Sequence, residues 1–346
     1  MRTIALDVHT GKSQLCVADG DGTILLERTV ATNAEELRKA VCAVQGPKRV
    51  VFESGPLAGL IQDALEGVVE DIIACDPTQN ALIAKAEDSN DERDARRLSL
   101  LARNGSLQRV YVPSKPFRTL RSLVCYETRL TRLVCEYKLR IKAFFRSQGV
   151  AYRGRGIYAV KNREEGLNAF TAGAARFQIE SLYRMLDTTR KERVRLRGEL
   201  RRITKPMPVI ERLQSIPGIG PVVARVLVAW IVDPGRFQSR GALCSYAGLA
   251  LRQNFTNWKA TGRAHASKRG QRDVKRVLFL ASRAVLRIKT SALAQRYQAR
   301  REAGWEDRKA IRDVARTLLL MAYHVWKTGE VYDHGRVTVP GSPRAR

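Results

Sequence analysis

The 346-residue chain is long enough for two or three domains with cores of their own, and it carries a formal net charge of +28. The charge is lopsided: residues 1–100 hold 11 Lys and Arg against 17 Asp and Glu, a net of −6, so residues 101–346 carry +34. Such a balance calls for a polyanionic partner on the later part. With no apolar run of membrane-spanning length and no signal peptide, that partner reads as nucleic acid rather than a membrane, in a cytoplasmic protein.

Six cysteines (Cys16, Cys42, Cys75, Cys125, Cys135, Cys244) are scattered without C-x-x-C spacing, and the histidines number four. The pattern suits buried free thiols, and it argues that any metal is held by carboxylates. Residues 3–9 read as a buried strand ending near Asp7. Residues 14–18 and 23–30 read as two more strands, joined by Asp19-Gly20-Asp21-Gly22, a strong hairpin signal. Thr32 or Asn33 caps a helix, and Lys48 to Glu53 is a fourth strand that stops at Glu53. A helix and a strand at 71–75 follow. Three antiparallel strands, a crossover helix and then alternating strands and helices make an α/β plan. In that plan Asp7 and Glu53 lie at ends of neighbouring central strands, where ligand sites of α/β sheets collect.

Ser89-Asn90-Asp91-Glu92-Arg93-Asp94-Ala95-Arg96-Arg97 opens the next helix. Ser89 and Glu92 form a capping box, and Asp91 suits the helix's positive end. Asp91 and Asp94, three apart, also put two carboxylates on one face. With Asp7 and Glu53 they make four convergent carboxylates, the oxygen donors that hard cations such as Mg²⁺ take. Two such ions can clamp a phosphate.

Pro113 to Pro116 reads as a hinge. Residues 117–148 and 175–203 carry apolar residues at spacings of three and four beneath a basic surface, and Thr189 and Arg193 interrupt the second seam. The pair predicts an antiparallel coiled coil, within one chain or between chains. Between them, Tyr152 to Thr171 with Arg153-Gly154-Arg155-Gly156 reads either as a flexible tip or as an RNA contact. Leu213-Gln214-Ser215-Ile216-Pro217-Gly218-Ile219-Gly220-Pro221 matches a helix-hairpin-helix turn, with Ile216, Gly218 and Gly220 bringing backbone N–H groups to a phosphate. In the polar stretch 252–276, glycines bracket Ser267, and Arg263, Lys268, Arg269 and Arg272 surround it. By chemistry alone Ser267 is a phosphate-touching or capping hydroxyl. Amphipathic helices over 273–288 and 307–326 close an all-α domain, followed by a disordered tail.

The order of acids resembles that of RuvC-type nucleases of ribonuclease H-like fold. It is closer to the DEDD transposases of the insertion sequence one-ten family, through Leu6-Asp7-Val8, Phe52-Glu53-Ser54-Gly55 and Asn90-Asp91-Glu92-Arg93-Asp94-Ala95-Arg96. Ser267-Lys268-Arg269-Gly270 resembles that family's Ser-Lys-x-Gly motif, and Cys244-Ser245-Tyr246-Ala247-Gly248-Leu249 its segment after the hairpin. The chain departs from the family at Ser54-Gly55 and at Ser89-Asn90, neither of them a proposed ligand. The resemblance implies a multidomain protein: a RuvC-like domain at 1–112, coiled-coil helices at 113–204, a helix-hairpin-helix and serine domain at 205–332, and the tail at 333–346. It implies a transposase in which Asp7, Glu53, Asp91 and Asp94 bind two Mg²⁺ ions and Ser267 attacks a DNA phosphate. It further implies donor and target DNA, an element-encoded bridge RNA, and a homo-oligomer (dimer or tetramer). The competing readings are a RuvC-type endonuclease using metal-activated water, with Ser267 only positioning phosphate, and a non-catalytic nucleic-acid-binding protein.

Overall fold

The computed structural model describes residues 1–77, 91–152, 154–170, 173–256, 259–266 and 269–333, except for the side chains of 91–92 and 251–266. Ser89, Asn90, Arg153, Ser267, Lys268 and the tail from 334 therefore lie outside the described residues. The chain divides into two compact units, Met1–Arg118 and Thr119–Arg346.

The first unit is built on strands β1 (Arg2–Val8), β2 (Lys12–Ala18), β3 (Ile24–Ala31), β4 (Lys48–Glu53) and β5 (Asp71–Cys75). They form one sheet in the order β3-β2-β1-β4-β5. β2 runs antiparallel to both β1 and β3, while β4 is parallel to β1 and β5. Order and directions agree with the ribonuclease H-like plan. The Asp19 carboxylate holds the turn between β2 and β3, accepting from the N–H groups of Asp21, Gly22 and Thr23 at 2.9–3.1 Å. Asn33 caps α1 (Ala34–Cys42) through the Glu36 N–H.

Period-two alternation sorts the strand residues onto two faces. Ile4, Leu6, Val50 and Phe52 face α1 and α2 (Ala58–Leu65), where Leu37, Val41, Ile61 and Leu65 meet them. Ala5 and Cys75, with Val51 and Ile73, face the other way, against Leu98 and Ala102 of α3 (Asp91–Arg103). Each fully buried Leu, Ile or Phe here contributes roughly 1.5–3 kcal/mol.

Helix α4 (Lys115–Ser147) leads into the second unit, and α6 (Ala174–Thr204) returns beside its later part. Glu127 meets Arg197, and Ile141 shares a cluster with Tyr183, so the two helices run in opposite directions within one chain. The segment between them is no free tip. Ile157, Tyr158 and Phe170 are buried in the same cluster, and α5 (Arg163–Leu167) anchors it through the ion pair of Arg163 with Asp187.

After α7 (Pro208–Gln214), α8 (Pro221–Ile231) and α9 (Arg240–Tyr246), the chain forms a two-stranded antiparallel ribbon, β6 (Leu251–Thr256) and β7 (Lys259–Ala266). The expected all-α domain is therefore corrected. Residues 251–266 carry no Asn-Gly or Asp-Gly turn, and their polar, basic character masked the strand signal. Helices α10 (Arg272–Val285), α11 (Ala292–Glu302) and α12 (Asp307–Thr328) follow. Leu293 is the one buried residue of α11, which left that helix without a legible stripe. Cys16, Cys75 and Cys244 are buried, but Cys42, Cys125 and Cys135 are exposed, which corrects the expectation of buried thiols. Among the described residues, no helix is long and apolar enough to cross a membrane.

Candidate catalytic and phosphate-binding residues

In the first unit, Leu6 pairs in register with Phe52 across the parallel strands. Asp7 and Glu53 are the next residues on each strand, and alternation turns them onto the opposite face, the one α3 covers. Ala5 packs with Leu98 on that face. Two residues further along β1 is about 6.6 Å, and four residues back along α3 is about 6 Å. These steps bring Asp94 level with Asp7, both on the α3 side of the sheet. Asp91 opens the same helix, its side chain outside the described residues.

The described acids already have partners. His9 Nε2 lies 3.2 Å from Asp7 Oδ2, and Arg97 donates to Asp94 Oδ1 at 3.2 Å. Among the described residues, no group of three or more His, Cys, Asp or Glu is gathered closely enough to hold a metal ion. As donors the set still fits one: Asp7 and Asp94 are partly exposed and Glu53 is exposed, and all three offer only oxygen. Cys16 on the neighbouring strand is no competing nucleophile, because burial and the nearby Glu27 push its thiol up to about 11.

In the second unit the turn between α7 and α8 is closed by Ile219 N–H donating to the Ile216 carbonyl at 3.0 Å. Gly218 has φ +88°, and a Cβ there would lie 2.8 Å from the Ala281 carbonyl oxygen and 3.0 Å from Val285 Cβ. Its glycine is thus explained by close packing on α10. The Ile216 side chain is 1% exposed and belongs to the core, and its backbone N–H donates to the Leu213 carbonyl at 3.2 Å. What faces outward is Gly220, which caps α8 without a side chain, and the first turn of α8, whose N–H groups have no acceptor within the helix.

The serine segment follows β7. Arg263 and His265 lie on that strand, while Ser267 and Lys268 fall outside the described residues. Arg269 and Arg272 are exposed, the latter opening α10. Gly270 (φ +116°) abuts Gly248 (φ +67°): a Cβ on Gly270 would lie 2.4 Å from Gly248 N. The Gln271 N–H donates to the Tyr246 carbonyl at 2.6 Å. The segment 244–249 therefore clamps the backbone just after Ser267, a support that sequence reasoning noticed only as a likeness. The paired glycines were its available signal.

Two family profiles match in chain order. Residues 4–148 match that of the DEDD transposases of the IS110 group, and residues 210–298 match that of the transposase IS116/IS110/IS902 family. The chain belongs to the IS110 transposase family. Within the family it is 26% identical to a 43.6 kDa protein of insertion element IS110 from Streptomyces coelicolor, over 45% of this chain and 38% of that protein. It is 22% identical to a Sinorhizobium fredii protein named "Putative transposase y4qE", over 80% of this chain and 69% of that one. It is 24% identical to the "Probable family 20 transposase" of Pseudomonas aeruginosa, over 58% and 60%. The chain thus spans well under half the length of the first of these family relatives.

Proposed function

We propose that this protein is a DNA transposase that excises and inserts its own insertion sequence, guided by a bridge RNA, by metal-assisted strand cleavage and rejoining through a phosphoserine link. The observation that supports it best is the placing of Asp7 and Glu53 at adjacent strand ends on the face that receives Asp94. Asp7, Glu53, Asp91 and Asp94 would hold Mg²⁺, two ions per site. When bound, the metal offsets charge on the phosphate oxygens.

The chain's own residues do the rest. Gly220 and the first turn of α8 hold backbone phosphate, and Arg263, Lys268, Arg269 and Arg272 hold the phosphate that reacts. The Ser267 hydroxyl loses its proton and its oxygen bonds to phosphorus, while the ester bond to the departing strand breaks and that strand's oxygen takes up a proton. Attack by a new strand's hydroxyl reverses these steps and frees the serine, so the bond energy is kept for rejoining. The serine segment of one subunit completes the carboxylate site of another in a homo-oligomer.

The test is incubation with Mg²⁺, guide RNA and substrate DNA, followed by a search for an SDS-resistant protein–DNA adduct. The adduct is expected with the wild type and absent from Ser267→Ala. Cutting without any adduct, or an adduct that survives in Ser267→Ala, would hand the reading to a nuclease with metal-activated water. Unchanged strand exchange by Asp7→Ala and Asp94→Ala would leave only a nucleic-acid-binding protein.

A further inference from the structure

The contact between α4 and α6 is not apolar throughout. On α6 the buried residues Tyr183, Leu186, Leu200 and Thr204 fit a spacing of alternating threes and fours that continues through positions 190, 193 and 197. Those three are arginines. The α4 side offers one buried carboxylate, Glu127, taken by Arg197 at 2.6 Å, and Asp187 is shared by Arg163 and Arg190. Arg193 keeps a buried Nε with no hydrogen-bond partner among the described residues. Beside it, Lys138, Lys142 and Arg146 recur every four residues along α4, about 6 Å apart, and exposed Arg155 joins them. Burial, then Arg190, Arg193 and Arg155, press the Lys138 ammonium to lose its proton more readily than usual.

Such an excess of cations calls for an anion from outside the chain. The two tyrosine rings that these lysines approach, Tyr152 and Tyr158, are not free to stack on bases. Tyr158 is buried with its hydroxyl donating to the Lys138 carbonyl at 2.9 Å, and Arg146 donates to the Tyr152 hydroxyl at 3.1 Å. Lys142 lies 5.6 Å from the Tyr152 ring centre. Contact through phosphates alone, without stacking, suits a duplex rather than a single strand.

We propose that the end of the α4–α6 pair bearing Lys138, Lys142, Arg146 and Arg193 grips the phosphate backbone of duplex DNA, as a holding site separate from the α7–α8 turn and the serine segment. Arg276, near the start of the helix that follows the serine segment, donates to Thr128 of α4 at 2.7 Å, and Lys138 stands about 15 Å further along α4, so the grip lies beyond the serine segment. This inference rests on the DNA reading above.

The test measures binding of the full chain to a duplex DNA of arbitrary sequence across a salt series. The variant is Lys138→Gln/Lys142→Gln/Arg146→Gln, and the charge-matched control is Arg287→Gln/Lys289→Gln/Arg308→Gln at exposed positions of the C-terminal region. Loss of three phosphate contacts should lower the slope of log affinity against log salt by roughly 2–3, at about 0.9 for each. The control should keep the wild-type slope. A variant slope equal to the control's overturns the proposal, as does a loss confined to a single-stranded RNA arm. A change in molecular mass by light scattering with DNA binding intact overturns it too, making the surface a contact between copies. If the wild type itself fails to bind duplex DNA, the transposase reading falls and not merely this site.

Discussion

Gly248 and Gly270 lie backbone against backbone, 22 positions apart in sequence and both in the left-handed region of φ. A Cβ on Gly270 would stand 2.4 Å from Gly248 N, 2.5 Å from Gly248 Cα and 3.0 Å from the Ser245 carbonyl oxygen. All three obstacles are backbone, so the neighbouring chain itself must move. Left-handed strain alone costs about 1–2 kcal/mol for a non-glycine residue. Gly270→Ala is expected to add the clash to that strain and to displace the backbone on which Ser267 depends. Gly304→Ala is the comparison, since Gly304 also has positive φ (+78°) but open space around it. Urea unfolding should show the larger loss for Gly270→Ala, and adduct formation should fall in that variant only. Equal losses in both assays would mean the close approach carries no consequence for the serine segment.

Asp7 and Glu53 make a second prediction. Their isosteric amides, Asp7→Asn and Glu53→Gln, keep volume and remove charge from positions at the sheet's rim, so folding should be little altered. Metal-assisted stabilisation of phosphoryl transfer amounts to several kcal/mol, and each 1.36 kcal/mol is a factor of ten. Each variant is therefore expected to lose about 100-fold or more in strand cleavage. DNA affinity measured without Mg²⁺ should stay close to wild type. Cleavage rates and a Mg²⁺ titration check this; a variant that cuts normally at ordinary Mg²⁺ is not missing a ligand.

How much of this was readable in the chain follows from the range of each interaction. The first unit was legible because its central strands β1, β4 and β5 hold apolar runs, and Asp7 and Glu53 stand at the positions where the runs of β1 and β4 stop. The Asp19 turn announced itself by residue type. The 251–266 ribbon was not legible, because its sequence is polar and basic and carries no Asn-Gly or Asp-Gly turn to announce a hairpin. Ile216 looked like part of a phosphate turn, yet it packs inward, because the same hydrophobe serves a turn's core and its surface equally in one dimension. Contact between Gly248 and Gly270 depends on how α9, β6 and β7 fold back, which no local pattern encodes. Arg193 was visible as an interruption of the seam, but its meaning required Arg190, Arg197 and Lys138 to be placed beside it.

Glu127 is buried to 3% exposure in that seam, with Arg197 bonded to it and Arg193 and Arg225 near enough to feel its charge. Removing a carboxylate from a buried pair leaves the cation uncompensated, at a cost of roughly 3–5 kcal/mol when both groups are buried. Arg197 is 40% exposed, so a smaller figure applies, about 2–3 kcal/mol for Glu127→Gln. Glu136, paired with Arg140 on the exposed side of α4, supplies the contrast, with under about 1 kcal/mol expected for Glu136→Gln. Denaturant unfolding of the two variants side by side checks the ordering. A Glu127→Gln protein as stable as Glu136→Gln would show that the seam tolerates its cations unaided.

The Arg163–Asp187 pair gives the protein a predicted acid limb. Hydrogen bonding to Arg163 holds the Asp187 carboxyl below its ordinary value, with the charges of Arg163 and Arg190 acting the same way against burial. A carboxyl whose pKa is lower folded than unfolded binds more protons in the unfolded chain. Its contribution is therefore fully present above the unfolded value, near 3.9, and is lost as pH falls through the lower folded value. At neutral pH the pair holds the segment between α4 and α6 in place. As pH falls through that lower folded value the Arg163 guanidinium, with a side chain only 10% exposed, loses the carboxylate that bonds it. Asp187→Asn should lower the thermal midpoint at pH 7, by an amount corresponding to about 1–2 kcal/mol given that Asp187 is one-third exposed. It should also reduce the difference between wild type and variant progressively as pH is taken from 5 toward 3. Thermal melts across that range check the sign: a gap that widens on acidification would mean that Asp187 is not the ionised partner of Arg163.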